Sequence, residues 1–232
     1  MLCSQGLEMD FEYRLRAPRQ VTGTRPPMLI LLHGKGANED DLFGLEQHFD
    51  DAFVVLSVRA PHEMAPGYYR WYERTDSPTG SVFDEAEVLR SRMFLIQSIK
   101  DAVMATGADP QRVFVLGFSQ GGAMALTVAL TAPQLVRGVV SMAGRLLPAI
   151  APFAKEPEAL AHLTVLLQHG SQDEVVPASE SATACNLFAE MRVKQALKEY
   201  PAGHTVTPGM LKDAKEFLAT QLAALSGTAE AA

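Results

Sequence analysis

The sequence predicts an α/β protein: a mostly parallel central sheet with helices on both faces. Two observations carry that prediction. Short, unbroken apolar runs alternate along the chain with longer stretches of helical periodicity, and Gly, Pro, Asn and Asp mark the joints between them. An unbroken apolar run is what a strand buried on both faces looks like, and parallel strands under helices are buried that way.

Taken in order, Leu7 to Leu15 alternates loosely between apolar and polar residues, as a half-exposed edge strand does. Arg16 to Pro27 is turn-like, rich in Pro, Gly and Thr. Met28-Leu29-Ile30-Leu31-Leu32 is too short for a helix and lies between Pro27 and Gly34, so it reads as the first central strand. Phe53 to Val58, Val113 to Leu116, Val136 to Met142 and Leu163 to Leu167 have the same character, and Gln195 to Tyr200 reads as the last strand. The helical stretches between them are Asp40 to Phe49, Asp84 to Thr106, Gln120 to Thr131, Ala178 to Arg192 and Pro208 to Leu225. Asn38, ahead of Glu39, Asp40 and Asp41, supplies a cap and first-turn carboxylates where a helix dipole favours them. Gly107 closes the long helix, and Asp109-Pro110 turns the chain toward the next strand. No repeat or linker interrupts this alternation. The 232 residues therefore read as one domain, with loose ends at about 1–6 and 226–232.

A hydrophobic fraction of 47% is ample for one buried core. With 20 basic against 27 acidic residues and a net charge of −7, the chain offers no basic face for nucleic acid and no polybasic handle for an anionic membrane. Two cysteines, Cys3 and Cys185, cannot form a disulfide framework and read as reduced thiols of a cytoplasmic protein. The first ten residues lack a basic stretch followed by an apolar one, and no window reaches the ~20 apolar residues of a membrane span. No His, Cys and Asp cluster has metal-ligand spacing and no nucleotide fingerprint is present, so neither a metal nor a cofactor is expected. A monomer or homodimer is expected.

The most informative segment is Val113-Phe114-Val115-Leu116-Gly117-Phe118-Ser119-Gln120-Gly121-Gly122. It is Gly-x-Ser-x-Gly, set where an apolar strand ends and a helical pattern begins. A turn that sharp holds a serine clear of the backbone, and the flanking glycines avoid collisions with the adjoining strand and helix. The helix from Gln120 also points its N-terminal amides at the serine, where negative charge would develop.

A serine needs a base, and the base an orienting acid. Of six histidines, His204 alone follows both the serine and the last strand, in Pro201-Ala202-Gly203-His204-Thr205. That matches the α/β-hydrolase order of serine, acid and histidine. His169, at the end of its strand, is the rival and reads as support for the loop beneath the site. The acid should follow a strand between the two, and Asp173 does so, with Glu174 as the alternative. In Leu32-His33-Gly34-Lys35-Gly36-Ala37-Asn38, after the first central strand, Gly34 and Gly36 let the backbone approach a substrate. Oxyanion donors would be the amides of Lys35 there and of Gln120 after the serine.

Four segments together carry a resemblance: His33-Gly34-Lys35-Gly36-Ala37-Asn38-Glu39, Gly117-Phe118-Ser119-Gln120-Gly121-Gly122, His169-Gly170-Ser171-Gln172-Asp173 with Val176-Pro177, and Gly203-His204. On these the chain resembles the phospholipase/carboxylesterase family, small uncapped α/β-hydrolases that include acyl-protein thioesterases. The resemblance runs from about Met28 to Leu222. It implies hydrolysis of a small-molecule ester or thioester, with Ser119, Asp173 and His204 as the triad and the Lys35 and Gln120 amides as the oxyanion hole. Arg70-Trp71-Tyr72-Glu73 resembles an aromatic pair that lies near substrate in the family, which makes Trp71 and Tyr72 substrate contacts. Ser171, Glu174 and Ala143-Gly144-Arg145 depart from the family pattern, the last favouring a bacterial-type carboxylesterase.

No segment between Val136 and Leu163 is long enough for a separate helical lid. Leu146 to Ala161 is expected to line one wall of an open groove. The loop from His62 to Phe83, with Tyr68, Tyr69, Trp71, Tyr72 and Phe83, would line the other. Such a groove suits short- to medium-chain esters; the alternatives are an acyl-protein thioesterase or lysophospholipase and, outside the class, a non-catalytic α/β-hydrolase used for binding.

Overall fold

The computed structural model describes residues 9–20, 23, 25–77 and 80–229. Its strands are β1 (Tyr13–Arg16), β2 (Met28–Leu32), β3 (Val54–Val58), β4 (His62–Ala65), β5 (Tyr68–Arg70), β6 (Arg74–Ser77), β7 (Gly80–Phe83), β8 (Val113–Phe118), β9 (Gly138–Met142), β10 (Thr164–Gly170) and β11 (Lys194–Tyr200). The helices are α1 (Asp40–Phe43), α2 (Glu85–Thr106), α3 (Gln120–Thr131), α4 (Pro157–Leu160), α5 (Ser179–Glu190) and α6 (Pro208–Ala229). Among the described residues, seven strands form one sheet in the order β1-β3-β2-β8-β9-β10-β11. Only β1 runs antiparallel to its neighbour.

The alternation of side chains along the strands builds two cores. Ile30, Leu32, Val113 and Val115 pack on one face with Leu95, Ile99, Met124 and Phe188 from α2, α3 and α5. Leu29, Leu31, Phe114 and Leu116 pack on the other with Leu42 of α1 and Met210, Ala214 and Leu218 of α6. Every residue of α3 is buried, which is why its sequence shows no polar stripe. This is the α/β-hydrolase fold.

Several elements differ from expectation. The helix expected over Asp40 to Phe49 stops after Phe43: Gly44 caps it, and the chain resumes as a single 3-10 turn at Glu46–His48. A glycine inside a helix costs about 1 kcal/mol relative to alanine, so the pattern breaks there. The Asn38 side chain does accept the Asp40 amide, at 2.9 Å. Its neighbour Glu39 instead turns inward and holds Arg59 through two 2.6 Å bonds. The loop from His62 to Phe83 contains two antiparallel hairpins, β4–β5 and β6–β7. At the C-terminal end α6 continues through Ala229, and Leu218, Leu222 and Leu225 of it pack against the sheet. The rest of the expected loose ends, and Cys3, lie outside the described residues. The edge strand begins at Tyr13, and no helix among the described residues is long and apolar enough to cross a membrane.

Candidate active site

The carboxyl ends of β2, β8, β10 and β11 carry Lys35, Ser119, Asp173 and His204, the position where ligands gather in such sheets. Ser119 sits between β8 and α3 with φ 56° and ψ −116°, a strained conformation for a residue with a side chain. The flanking glycines make that turn possible. A Cβ on Gly117 would lie 2.2 Å from the Gly121 carbonyl oxygen, and one on Gly121 would lie 2.0 Å from that of Leu32. The Ser119 amide donates to the Met142 carbonyl at 2.8 Å, fixing the elbow to β9.

The structure brings Ser119, His204 and Asp173 together. His204 Nδ1 lies 2.6 Å from Asp173 Oδ2, and His204 Nε2 lies 2.9 Å from Ser119 Oγ. A carboxylate only accepts, so the ring proton is on Nδ1 and Nε2 faces the serine hydroxyl as acceptor. Phe118 packs against the ring, 4.9 Å between centroids. Burial opposes charge on Asp173, but the amides of Val176 and Val175 and the His204 ring outweigh it, and the carboxyl sits below its ordinary range. Glu174, the alternative acid, is exposed.

The loops bearing the acid and the base are joined backbone to backbone. Ser171 N–H donates to the Tyr200 carbonyl at 2.7 Å and Gln172 N–H to that of Ala202 at 2.9 Å. Gly170 is pressed so closely against this loop that a Cβ would meet the Ala202 and Gly203 carbonyl oxygens at 2.4 Å. His169 is fully buried beneath them. Its Nε2–H donates to the Val176 carbonyl at 2.8 Å and lies 3.3 Å from Asp173 Oδ2, while Nδ1 accepts from Ser181 Oγ at 2.6 Å. It therefore braces the acid loop and does not reach the serine.

Lys35, Gln120, Tyr72 and Ser119 line one cavity of about 80 Å³, together with Arg74, Ala143, Arg145, Val175 and Val176. Among the described residues neither the Lys35 nor the Gln120 backbone amide has a hydrogen-bond partner. Two free N–H groups beside a hydroxyl can receive an oxyanion. The Lys35 ammonium is engaged elsewhere, 2.9 Å from Glu73 Oε1.

Trp71 is corrected. It is fully buried, with its indole N–H donating to the His33 carbonyl at 2.9 Å, so it presents no surface to a substrate. A buried indole needs an acceptor, and the loop after β2 supplies it. Two further residues have roles that local sequence does not announce. The Gln120 side chain accepts from Trp71 N–H at 3.0 Å and donates to the Tyr72 carbonyl at 2.7 Å, tying that segment to the elbow. The buried His33 ring accepts the Ala60 amide at 3.0 Å through Nε2 and meets the Gly34 carbonyl at 2.7 Å through Nδ1.

A second, more open groove of about 460 Å³ adjoins the first and shares Arg74, Arg145 and Val175 with it. Leu146 and Pro148 form one side, Gly80, Ser81 and Phe83 the other. Of the expected Leu146 to Ala161 wall only its start is used: Ile150 and Leu160 are buried in the core, and this connection packs against α2 and α3.

The model of the phospholipase/carboxylesterase family matches residues 21–222. A probable carboxylesterase of Oryza sativa subsp. japonica, Os04g0669600, is 29% identical over 86% of this chain and 90% of its own. Acyl-protein thioesterase 1 of Gibberella zeae is 32% identical over 50% of this chain and 51% of its own. The crystal structure of the Bacillus cereus carboxylesterase superposes with a TM-score of 0.78 at 22% identity, covering 91% of this chain and 95% of that one, a likeness of fold. With a family model spanning nearly all of the sheet and every residue of the serine, acid and histidine arrangement, this chain belongs to the phospholipase/carboxylesterase family of hydrolases.

Proposed function

We propose that the protein is a serine carboxylesterase that hydrolyses short- to medium-chain carboxylic esters through an acyl-enzyme on Ser119. The observation that carries this reading is the continuous hydrogen-bonded chain from Asp173 through His204 to Ser119, ending at a cavity with two unpartnered amides. Ser119 Oγ attacks the ester carbonyl as its proton passes to His204 Nε2, and Asp173 holds the resulting imidazolium in place. The carbonyl oxygen, now negative, is held by the amides of Lys35 and Gln120. Collapse of the tetrahedral adduct breaks the bond to the alkoxy group, which takes the proton from His204 and leaves as the alcohol. Water, deprotonated by His204, then releases the acid and restores the serine. The walled but unroofed groove beside the cavity supports substrates of short to medium length.

The thioesterase named among the relatives favours a second reading, in which the leaving group is a thiol. A non-catalytic binding protein would have no use for the strained Ser119 turn. A small fluorophosphonate should raise the intact mass by one adduct, and Ser119→Ala should abolish it. Labelling elsewhere, or none in folded protein, overturns the serine mechanism. Relative kcat/KM on p-nitrophenyl esters of increasing length, beside an acyl-thioester, separates the ester and thioester readings.

A further inference from the structure

The side chain of Arg145 has no counterpart in the mechanism above. It lies three residues beyond the end of β9, after Ala143, whose φ of 50° is unusual for a residue with a side chain. Strain of this kind persists only where the surroundings impose it, and it gathers at sites of function. Here it brings the chain back toward Ser119, and both Ala143 and Arg145 line the serine cavity. Arg145 is 7% exposed, yet among the described residues it makes no hydrogen bond. Its contacts are Glu180 Oε1, 3.6 Å from Nη1, and the Phe83 ring, 5.6 Å from the guanidinium carbon.

A guanidinium stays charged in any protein and presents five N–H donors in a planar fork. Burying one is costly unless acceptors meet those donors. Glu180 answers Nη1 alone, from beyond hydrogen-bond distance, and is itself a third exposed. Arg145 lines both the serine cavity and the adjoining groove, and none of its nitrogens is among the atoms sealed from solvent without a partner. The ligand that fits a flat fork there is a flat anion with two acceptor oxygens.

We propose that Arg145 binds a carboxylate carried by the substrate, so that the preferred ester is anionic: a half-ester of a dicarboxylic acid or an ester of a hydroxy acid. This rests on the serine esterase reading and adds the substrate class to it. The Phe83 ring lies beside the guanidinium, 5.6 Å from its central carbon. The attack on the ester carbonyl is unchanged; the carboxylate anchors the substrate with its carbonyl at Ser119.

Two matched pairs test the proposal by pH-stat titration. Monomethyl succinate against methyl butyrate puts the charge on the acyl side, and butyryl glycolate against ethyl butyrate puts it on the alcohol side. At least one charged ester should exceed its neutral partner in kcat/KM by roughly 10- to 100-fold, the range of a charge-assisted hydrogen-bonded pair. In Arg145→Met that ratio should fall to about one, with Arg145→Lys in between, since an ammonium keeps the charge and loses the fork. Succinate should also protect Ser119 of the unaltered protein from a fluorophosphonate while succinamide does not, a readout that survives if the variants fail to fold. Ratios near one in the unaltered protein, a ratio that persists in Arg145→Met, or protection by glycerol phosphate and not by succinate would overturn the proposal. Hydrolysis of no ester together with an unlabelled Ser119 would overturn the esterase reading instead.

Discussion

Acidification should weaken this fold through His33 in a window that the structure defines. The ring is fully buried at the end of β2. Its Nε2 accepts the Ala60 amide, so the neutral ring carries its proton on Nδ1 and donates it to the Gly34 carbonyl. A second proton on Nε2 would set N–H against N–H. Burial pushes the imidazole down from 6.5 to about 4. Between those values the unfolded chain holds a proton that the folded one refuses, so stability is complete above about 6.5 and declines as pH falls toward about 4. The gap from 6.5 to about 4, at about 1.4 kcal/mol per tenfold in proton affinity, caps the loss at about 3 kcal/mol. Other groups titrate in the same range, so the measurement is a difference. Urea unfolding of the unaltered protein and of His33→Gln, compared from neutral to mildly acidic pH, isolates this ring. The variant should be weaker at neutral pH by about 1–2 kcal/mol for its poorer hydrogen bonds, and the deficit should close or reverse as the buffer is acidified. A deficit that stays constant with pH would refute the assignment.

Three further outcomes follow from the packing. Asp173→Asn should lower kcat on a p-nitrophenyl ester by roughly 10⁴, by leaving the imidazole in the wrong tautomer, and Glu174→Gln by less than about tenfold; the reverse order would make Glu174 the acid. Trp71→Ala should destabilise the fold by about 3–5 kcal/mol in denaturant, as loss of a buried aromatic does; a cost under about 1 kcal/mol would return Trp71 to the surface. Gly121→Ala drives a Cβ to within 2.0 Å of the Leu32 carbonyl oxygen, so it should abolish fluorophosphonate labelling of Ser119, and normal labelling would show that the elbow can open.

The central strands were legible because both faces of the sheet are covered. All five residues of β2 and of β3 are buried, so there was no alternation to misread. That Ser119, Asp173 and His204 would meet was legible for a related reason, since each follows a recognisable strand and the topology collects strand ends. The hairpins between residues 62 and 83 were not, because β4, β5 and β7 are three or four residues long and half exposed, and backbone pairing leaves little side-chain pattern. Trp71 shows the limit most clearly: whether a loop aromatic faces inward depends on a buried acceptor 38 residues away, the His33 carbonyl. Gln120 is similar, with side-chain partners 49 and 48 positions distant. Its amide could be chosen from helix geometry; its side chain could not.

The stitching of the acid loop to the histidine loop has a mechanical consequence. Two backbone hydrogen bonds and the close approach of Gly170 to Ala202 and Gly203 make these loops a single plate, so carboxylate and imidazole travel together. The serine is held on the neighbouring strand of the same sheet, its amide on the Met142 carbonyl at the end of β9, which pairs with β10. Between hydroxyl and imidazole runs one 2.9 Å side-chain hydrogen bond. A change that lengthened that one bond would leave the imidazole oriented on Asp173 but out of reach of the serine, a state in which the proton acceptor is poised and its donor is absent.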